Sequence, residues 1–131
     1  MLKALFTSRY WAQKTNREPL PMSGNLVMDG GQGTVADLIA SADRALLVTR
    51  FWYIRSVNPQ TVQLTGLTRD GIWLVEKGKV VAPVNNLRFN ESPALMLKNV
   101  EALSAAVSTG EAVVPGIRAR NFTFSSRSDA V

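Results

Sequence analysis

Between Leu46 and Val84 the sequence alternates runs of β-branched and aromatic residues with residues that end strands, and this pattern limits the fold more than any other feature. Leu46 to Arg55 favours an extended chain, and Asn58-Pro59-Gln60 closes it, because Pro59 fixes its own φ in a turn. Thr61 to Thr65 then alternates, with Val62 and Leu64 on one side and Thr61, Gln63 and Thr65 on the other. Asp70-Gly71 reads as a second turn, followed by Ile72 to Val75, a Gly78 loop flanked by Lys77 and Lys79, and Val80 to Val84. Four antiparallel strands in a meander are expected, with Pro83 at an edge or a strand end.

Helical signals flank this block. Thr34 can cap a helix and Asp37, three residues on, completes a capping-box pair; Val35, Leu38, Ile39 and Ala42 then form one apolar stripe ending near Arg44. Ser92-Pro93 opens another helix, since proline in the first turn loses only an N–H that had no partner. Leu95, Met96, Val100 and Leu103 supply its stripe. Pro19, Pro21 and Gly24 make Gln13 to Gly33 an extended loop, with a short strand at Asn25 to Met28. Glu111 to Ser125 reads as extended and broken near Pro115-Gly116, and residues 126–131 as a frayed polar tail. The expected fold class is α+β, a mainly antiparallel sheet with about two helices, in a single domain over 1–131 with a loop-rich leading segment, 1–33.

The chain has 131 residues, no cysteine and no histidine. Disulfides, thiol nucleophiles, histidine-based triads and zinc sites made of thiolate or imidazole are therefore excluded within it. No two carboxylates have the spacing of a catalytic pair, so no catalytic and no metal-binding residue is assigned. The net charge of +5 permits anionic partners, but the charged residues are scattered. Apolar runs are too short for a transmembrane helix, and Met1 to Phe6 lacks the form of a secretory signal; cytoplasmic is the default location.

Two motifs invite functional readings. The glycines of Asp29 to Thr34 precede a helix N-terminus, where an anion could sit, yet neither a P-loop nor a dinucleotide fingerprint follows; a turn with a cap is the simpler account. Thr49 to Val57, TRFWYIRSV, could stack bases and pair phosphates through Arg50, Phe51, Trp52, Tyr53 and Arg55. Strict strand alternation instead puts Phe51, Tyr53 and Arg55 on one face and Arg50, Trp52 and Ile54 on the other. That favours a structural strand covered on both sides over a small nucleic-acid-binding module.

Three phrases together resemble the C-terminal part of the TldD/PmbA family, called modulators of DNA gyrase and regarded as metallopeptidases. They are Ser8 to Pro19, Leu46 to Ser92 and Val114 to Ala130, with GLTRDGIWLVEKGKVVAPV the most specific block. The resemblance implies a scaffold and cleft-forming domain in a protein acting on peptides. In that family two histidines of a His-Glu-x-x-x-His helix, upstream of the position of Ser8, hold zinc, and in some members a cysteine near the region of Ser108 to Glu111 adds a ligand. Neither is in this chain, so no cofactor is expected in it and zinc only in a full-length relative. The chain is then expected to be a fragment or a truncated form. The implied partners are an upstream metal-binding domain or a paralogous subunit, in a homo- or heterodimer, and a peptide. A non-catalytic dimerisation module is the remaining alternative. Arg50, Trp52, Tyr53 and Arg55 are the candidate peptide or partner contacts, with at most one of the two arginines facing a cleft.

Overall fold

The computed structural model describes residues 5–22 and 24–127. In chain order its elements are α1 (Arg9–Thr15), β1 (Leu26–Val27), α2 (Val35–Ala40), β2 (Arg44–Asn58), β3 (Gln63–Glu76), β4 (Lys79–Val84), β5 (Leu87–Glu91), α3 (Pro93–Lys98), β6 (Val100–Ser108), β7 (Ala112–Ala119) and β8 (Phe124–Arg127). The fold is α+β and mainly antiparallel, as the sequence predicts.

The larger sheet has the order β2-β3-β5-β8, with β4 also paired to β3. Pro59 lies in the loop between β2 and β3, where Gln60 N–H donates to the Asn58 side chain at 2.9 Å. Asp70-Gly71 is not a turn. β3 runs straight through it, and what the sequence divides into two strands is one of 14 residues. Both residues do take the positive φ of a turn, 63° and 122°, but β2 pairs with β3 on either side of them, so the extra residue becomes a bulge between the pairs Val48↔Ile72 and Arg50↔Arg69. Lys77 and Gly78 form the expected tight hairpin, each with positive φ. Its backbone is docked, with Lys77 N–H on the Asp43 carbonyl at 2.6 Å and Gly78 N–H on the Ala42 carbonyl at 2.8 Å. Among its named pairings β4 meets only β3, so Pro83 sits on an outer strand as expected.

β5 has no counterpart in the sequence reading. It pairs with β3 at Leu64 to Leu67, beyond the stretch that β4 occupies, and carries β8 on its far side. Ser126 and Arg127 therefore belong to a strand and not to a frayed tail; the rest of that predicted tail, 128–131, lies outside the described residues, as do 1–4.

The smaller sheet has the order β1-β7-β6. Val100 and Leu103, expected on the helix after Pro93, are strand residues opposite Ala119 and Ile117. That helix ends at Lys98, where Asn99 N–H bonds back to the Leu95 and Met96 carbonyls, and the β-branched residues beyond pair with β7. Nor do Pro115 and Gly116 break the extended segment. β1 reaches only Val113, so the missing N–H of Pro115 costs no ladder bond there, and the break falls after Ala119. The capping box of α2 forms as predicted, although the helix stops at Ala40 and not near Arg44 because β2 begins at Arg44. α1 is a third helix inside the loop-rich leading segment, 1–33, and its end runs into the stretch from Gln13 expected to be loop. The Ser8 hydroxyl caps it at Trp11 N–H, and Asn16 ends it in the left-handed region. The predicted short strand at Asn25 to Met28 is present as β1.

The buried apolar set is small, comprising Ala12, Ala42, Leu67, Ile72, Val75 and Phe89. Most of it belongs to the larger sheet, with β3 at its centre. Among the described residues no helix is long and apolar enough to cross a membrane.

Candidate functional site

Two bulges decide which residues share a face on β2 and β3. Besides the one at Asp70, a second lies in β2, where Trp52 opposes Leu67 and Arg55 opposes Thr65. Three steps along β2 thus match two along β3, and Tyr53, with φ of 52°, carries the irregularity. Directly opposed residues of an antiparallel pair project from the same face. Arg69, Leu67 and Thr65 alternate regularly on β3, so Arg50, Trp52 and Arg55 all lie on their face. The expectation that Arg50 and Arg55 fall on opposite faces is corrected by this bulge, since one inserted residue reverses the parity of everything after it.

β5 extends the same face, with Arg88 opposite Leu67 and Asn90 opposite Thr65. The face therefore presents three rows: Arg50 and Arg69; Trp52, Leu67 and Arg88; Arg55, Thr65 and Asn90. Asp70, lifted by its bulge, places one carboxylate oxygen 2.9 Å from Arg50 and the other 3.3 Å from Arg69. The guanidinium groups of Arg50 and Arg69 lie 5.2 and 4.8 Å from the centre of the Trp52 ring, and that of Arg55 lies 4.2 Å from the Tyr53 ring. These are cation–π distances. Arg50, Trp52, Tyr53, Arg55, Asp70 and Arg88 are exposed, so β2 is not covered on both sides here. Sequence reasoning missed Arg69, Asp70 and Arg88. The Arg-Asp-Gly triplet held a signal for the first two, because a left-handed Asp-Gly pair suits a bulge as well as a turn.

The opposite face is apolar. Phe51 and Phe89 meet edge to face at 5.0 Å, Phe122 stacks on Phe51 at 5.3 Å, and Phe124 lies 5.0 Å from Phe122. Gly66 makes room for this cluster, since a Cβ there would lie 2.7 Å from the Phe89 ring. The rings of TRFWYIRSV are thus divided, with Phe51 in the aromatic cluster and Trp52 among arginines.

The glycines of Asp29 to Thr34 serve a packing role. Gly31 N–H donates to the Ser104 carbonyl at 2.8 Å and Ala105 N–H to the Gly33 carbonyl at 2.6 Å, so the segment lies against β6. A Cβ on Gly30 would come within 2.5 Å of the Ala106 nitrogen. At the cap, the Thr34 backbone N–H and then its hydroxyl bond the Asp37 carboxylate and hold its pKa below the ordinary value. Arg118 donates to the Ser41 hydroxyl at 2.7 Å and the Leu38 carbonyl at 3.3 Å, and Arg118 and Arg120 both pair with Glu101. The Arg118 bonds tie β7 to the end of α2, and the Glu101 pairs tie the end of β7 to β6.

The donors needed to hold a zinc ion are not brought together. The sequence has no histidine or cysteine, and among the described residues no three carboxylates converge. In the turn from Ser108 to Glu111 the hydroxyls close the hairpin itself: Ser108 accepts from Gly110 N–H at 3.4 Å, and Thr109 donates to the Ala112 carbonyl at 3.1 Å. The described residues do not fit the metal.

The family model of the PmbA/TldA metallopeptidase C-terminal domain matches residues 1–126. The chain belongs to this family. A search of curated proteins finds no match. Three solved structures share the fold of this family member. One, from Bacteroides thetaiotaomicron and described as a modulator of DNA gyrase, has a TM-score of 0.83 and 24% identity over 95% of this chain and 28% of its own. TldE from Thermococcus kodakarensis gives 0.76 and 18%, and a protein from Thermotoga maritima, likewise described as a modulator of DNA gyrase, gives 0.77 and 16%; each match covers 95% of this chain and 31% of theirs. The family domain described here thus spans less than a third of the length of the solved proteins it matches.

Proposed function

We propose that this chain is the scaffold of a peptide-receiving cleft in a metallopeptidase of the TldD/PmbA type, with the metal and the general base supplied by an upstream domain or a paralogous subunit. The observation that carries the reading is the family match over residues 1–126. A sequence without histidine or cysteine is consistent with a supporting part. The sheets give such a scaffold rigidity, and β2, at the outer end of the larger sheet, leaves a long strand for contact. The protein is placed in the cytoplasm and in a dimer on the same reading.

The test is direct. The purified chain should carry no stoichiometric zinc by elemental analysis and should cleave no unfolded protein substrate. Mixing with a metal-binding upstream domain of the family should give a complex on gel filtration and chelator-sensitive cleavage. Tightly held zinc together with chelator-sensitive proteolysis by the chain alone would refute the assignment.

A further inference from the structure

The face built by β2, β3 and β5 carries more positive charge than the fold itself can use. Arg50 and Arg69 are directly opposed, an arrangement that costs stability unless an anion intervenes, and Asp70 is that anion. Arg55 and Arg88 have no such partner, and among the described residues neither forms an ion pair. Among the described residues Arg55 donates only to the neighbouring Ile54 carbonyl, at 3.0 Å, and rests on Tyr53. Four guanidinium groups against one carboxylate leave three positive charges on this face.

We propose that this face binds an acidic polypeptide segment of a partner protein, whose Asp and Glu carboxylates are taken by Arg55, Arg88 and the Arg50–Arg69 pair. This is a binding property of one sheet face, and it stands whether or not the peptidase reading does. Charge complementarity names the sign of the ligand, and three details favour carboxylates over a nucleic acid. Asp70 shows a carboxylate seated between two guanidinium groups of this face, so the site accepts that chemistry as it stands. The Trp52 ring already carries Arg50 and Arg69, and the Tyr53 ring carries Arg55, so neither offers a bare stacking surface. The charges are also spaced for a peptide. The Arg55 row lies four residues along β3 from the Arg50–Arg69 row, about 13 Å, and Arg88 lies two strands from Trp52, about 10 Å. Guanidinium groups bind carboxylates through two parallel N–H bonds, which adds geometric selection to the charge.

Fluorescence anisotropy tests this with the full chain and three labelled probes at low salt: a Glu-Ser repeat peptide, its Gln-for-Glu counterpart, and an oligothymidylate of similar length. The Glu peptide should bind and the Gln peptide should not. Arg55→Gln and Arg88→Gln should each weaken binding by about fivefold, the scale of one exposed ion pair. Asp70→Asn should strengthen it, because asparagine tolerates the left-handed backbone while releasing two arginines. Arg17→Gln and Lys98→Gln change the net charge equally at other places and should leave affinity within about twofold. The proposal is overturned if these controls weaken binding as much as the face variants, if the oligothymidylate binds more tightly than the Glu peptide, or if the Glu peptide does not bind.

Discussion

At the scale of single residues, Gly30 and Gly31 matter through the absence of a side chain. They lie so close to β6 that a Cβ on Gly31 would overlap the Leu103 carbonyl oxygen, and that oxygen belongs to backbone that cannot swing aside. Gly31→Ala should therefore cost about 1–3 kcal/mol, the range for forcing extra atoms into a packed site. Gly24 has nothing within 4 Å of an added Cβ, so Gly24→Ala should fall within about 0.5 kcal/mol of the parent, with both glycine variants measured by urea titration. Asp37 makes a different prediction. Its pKa is lowered by bonds from Thr34, so its contribution to stability is present above the ordinary carboxylate pKa, near pH 4, and is lost as pH falls through the lower folded value. The melting-temperature gap between the parent and Asp37→Ala should be wide at neutral pH and narrow in acid. A gap that does not change with pH would show that the carboxylate is not its source.

At the scale of elements, the pairing of β5 depends on a buried carboxylate. One oxygen of Glu91 accepts from Ser92 N–H at 2.8 Å and the other from Thr123 N–H at 2.9 Å, which fastens the end of β5 to the connection leading into β8. Glu91→Ala leaves both donors without this acceptor and should cost about 1–3 kcal/mol per unsatisfied group, whereas Glu91→Gln keeps one acceptor oxygen and should cost less. Thermal denaturation of the two variants ranks them. Much at this scale was legible in the sequence: the capping box at Thr34 and Asp37, the loop at Pro59, the Lys77-Gly78 hairpin and the proline start at Pro93 each rest on chemistry confined to four or so neighbouring residues. The misread strands share one cause. Asp70-Gly71 and Pro115-Gly116 are sound local signals for a turn or a break, but whether the chain turns there depends on the strand lying opposite. β5 and β6 were missed because Leu87 to Glu91 and Val100 to Ser108 alternate too weakly to be read without their partners.

For the whole molecule, the distribution of apolar surface points outward. Phe6, Trp11, Met22, Leu26 and Val27 are each more than half exposed, and the fully buried set is small. If these residues form one contiguous patch, such surface favours contact with other protein. The purified chain is accordingly expected to bind a hydrophobic dye and to self-associate with rising concentration, measured by dye fluorescence and analytical ultracentrifugation. A strictly monomeric chain that leaves the dye dark would count against both a dimer and a docking domain. The candidate site was half legible. Arg50, Trp52, Tyr53 and Arg55 were singled out from one stretch, while Arg69 and Arg88, from two other strands, join them only through pairing.

The amino-acid sequence by itself determined the α+β class, the caps and tight turns, the absence of any histidine or cysteine chemistry, and the resemblance to the TldD/PmbA family, all properties of composition or of residues close together along the chain. Only the tertiary structure decided which way the arginines face. Side-chain parity in a strand is reset by every bulge, and a bulge exists only as a mismatch between two paired strands. The extra residue at Tyr53 therefore put Arg55 on the same face as Arg50, where regular alternation would have put them on opposite faces.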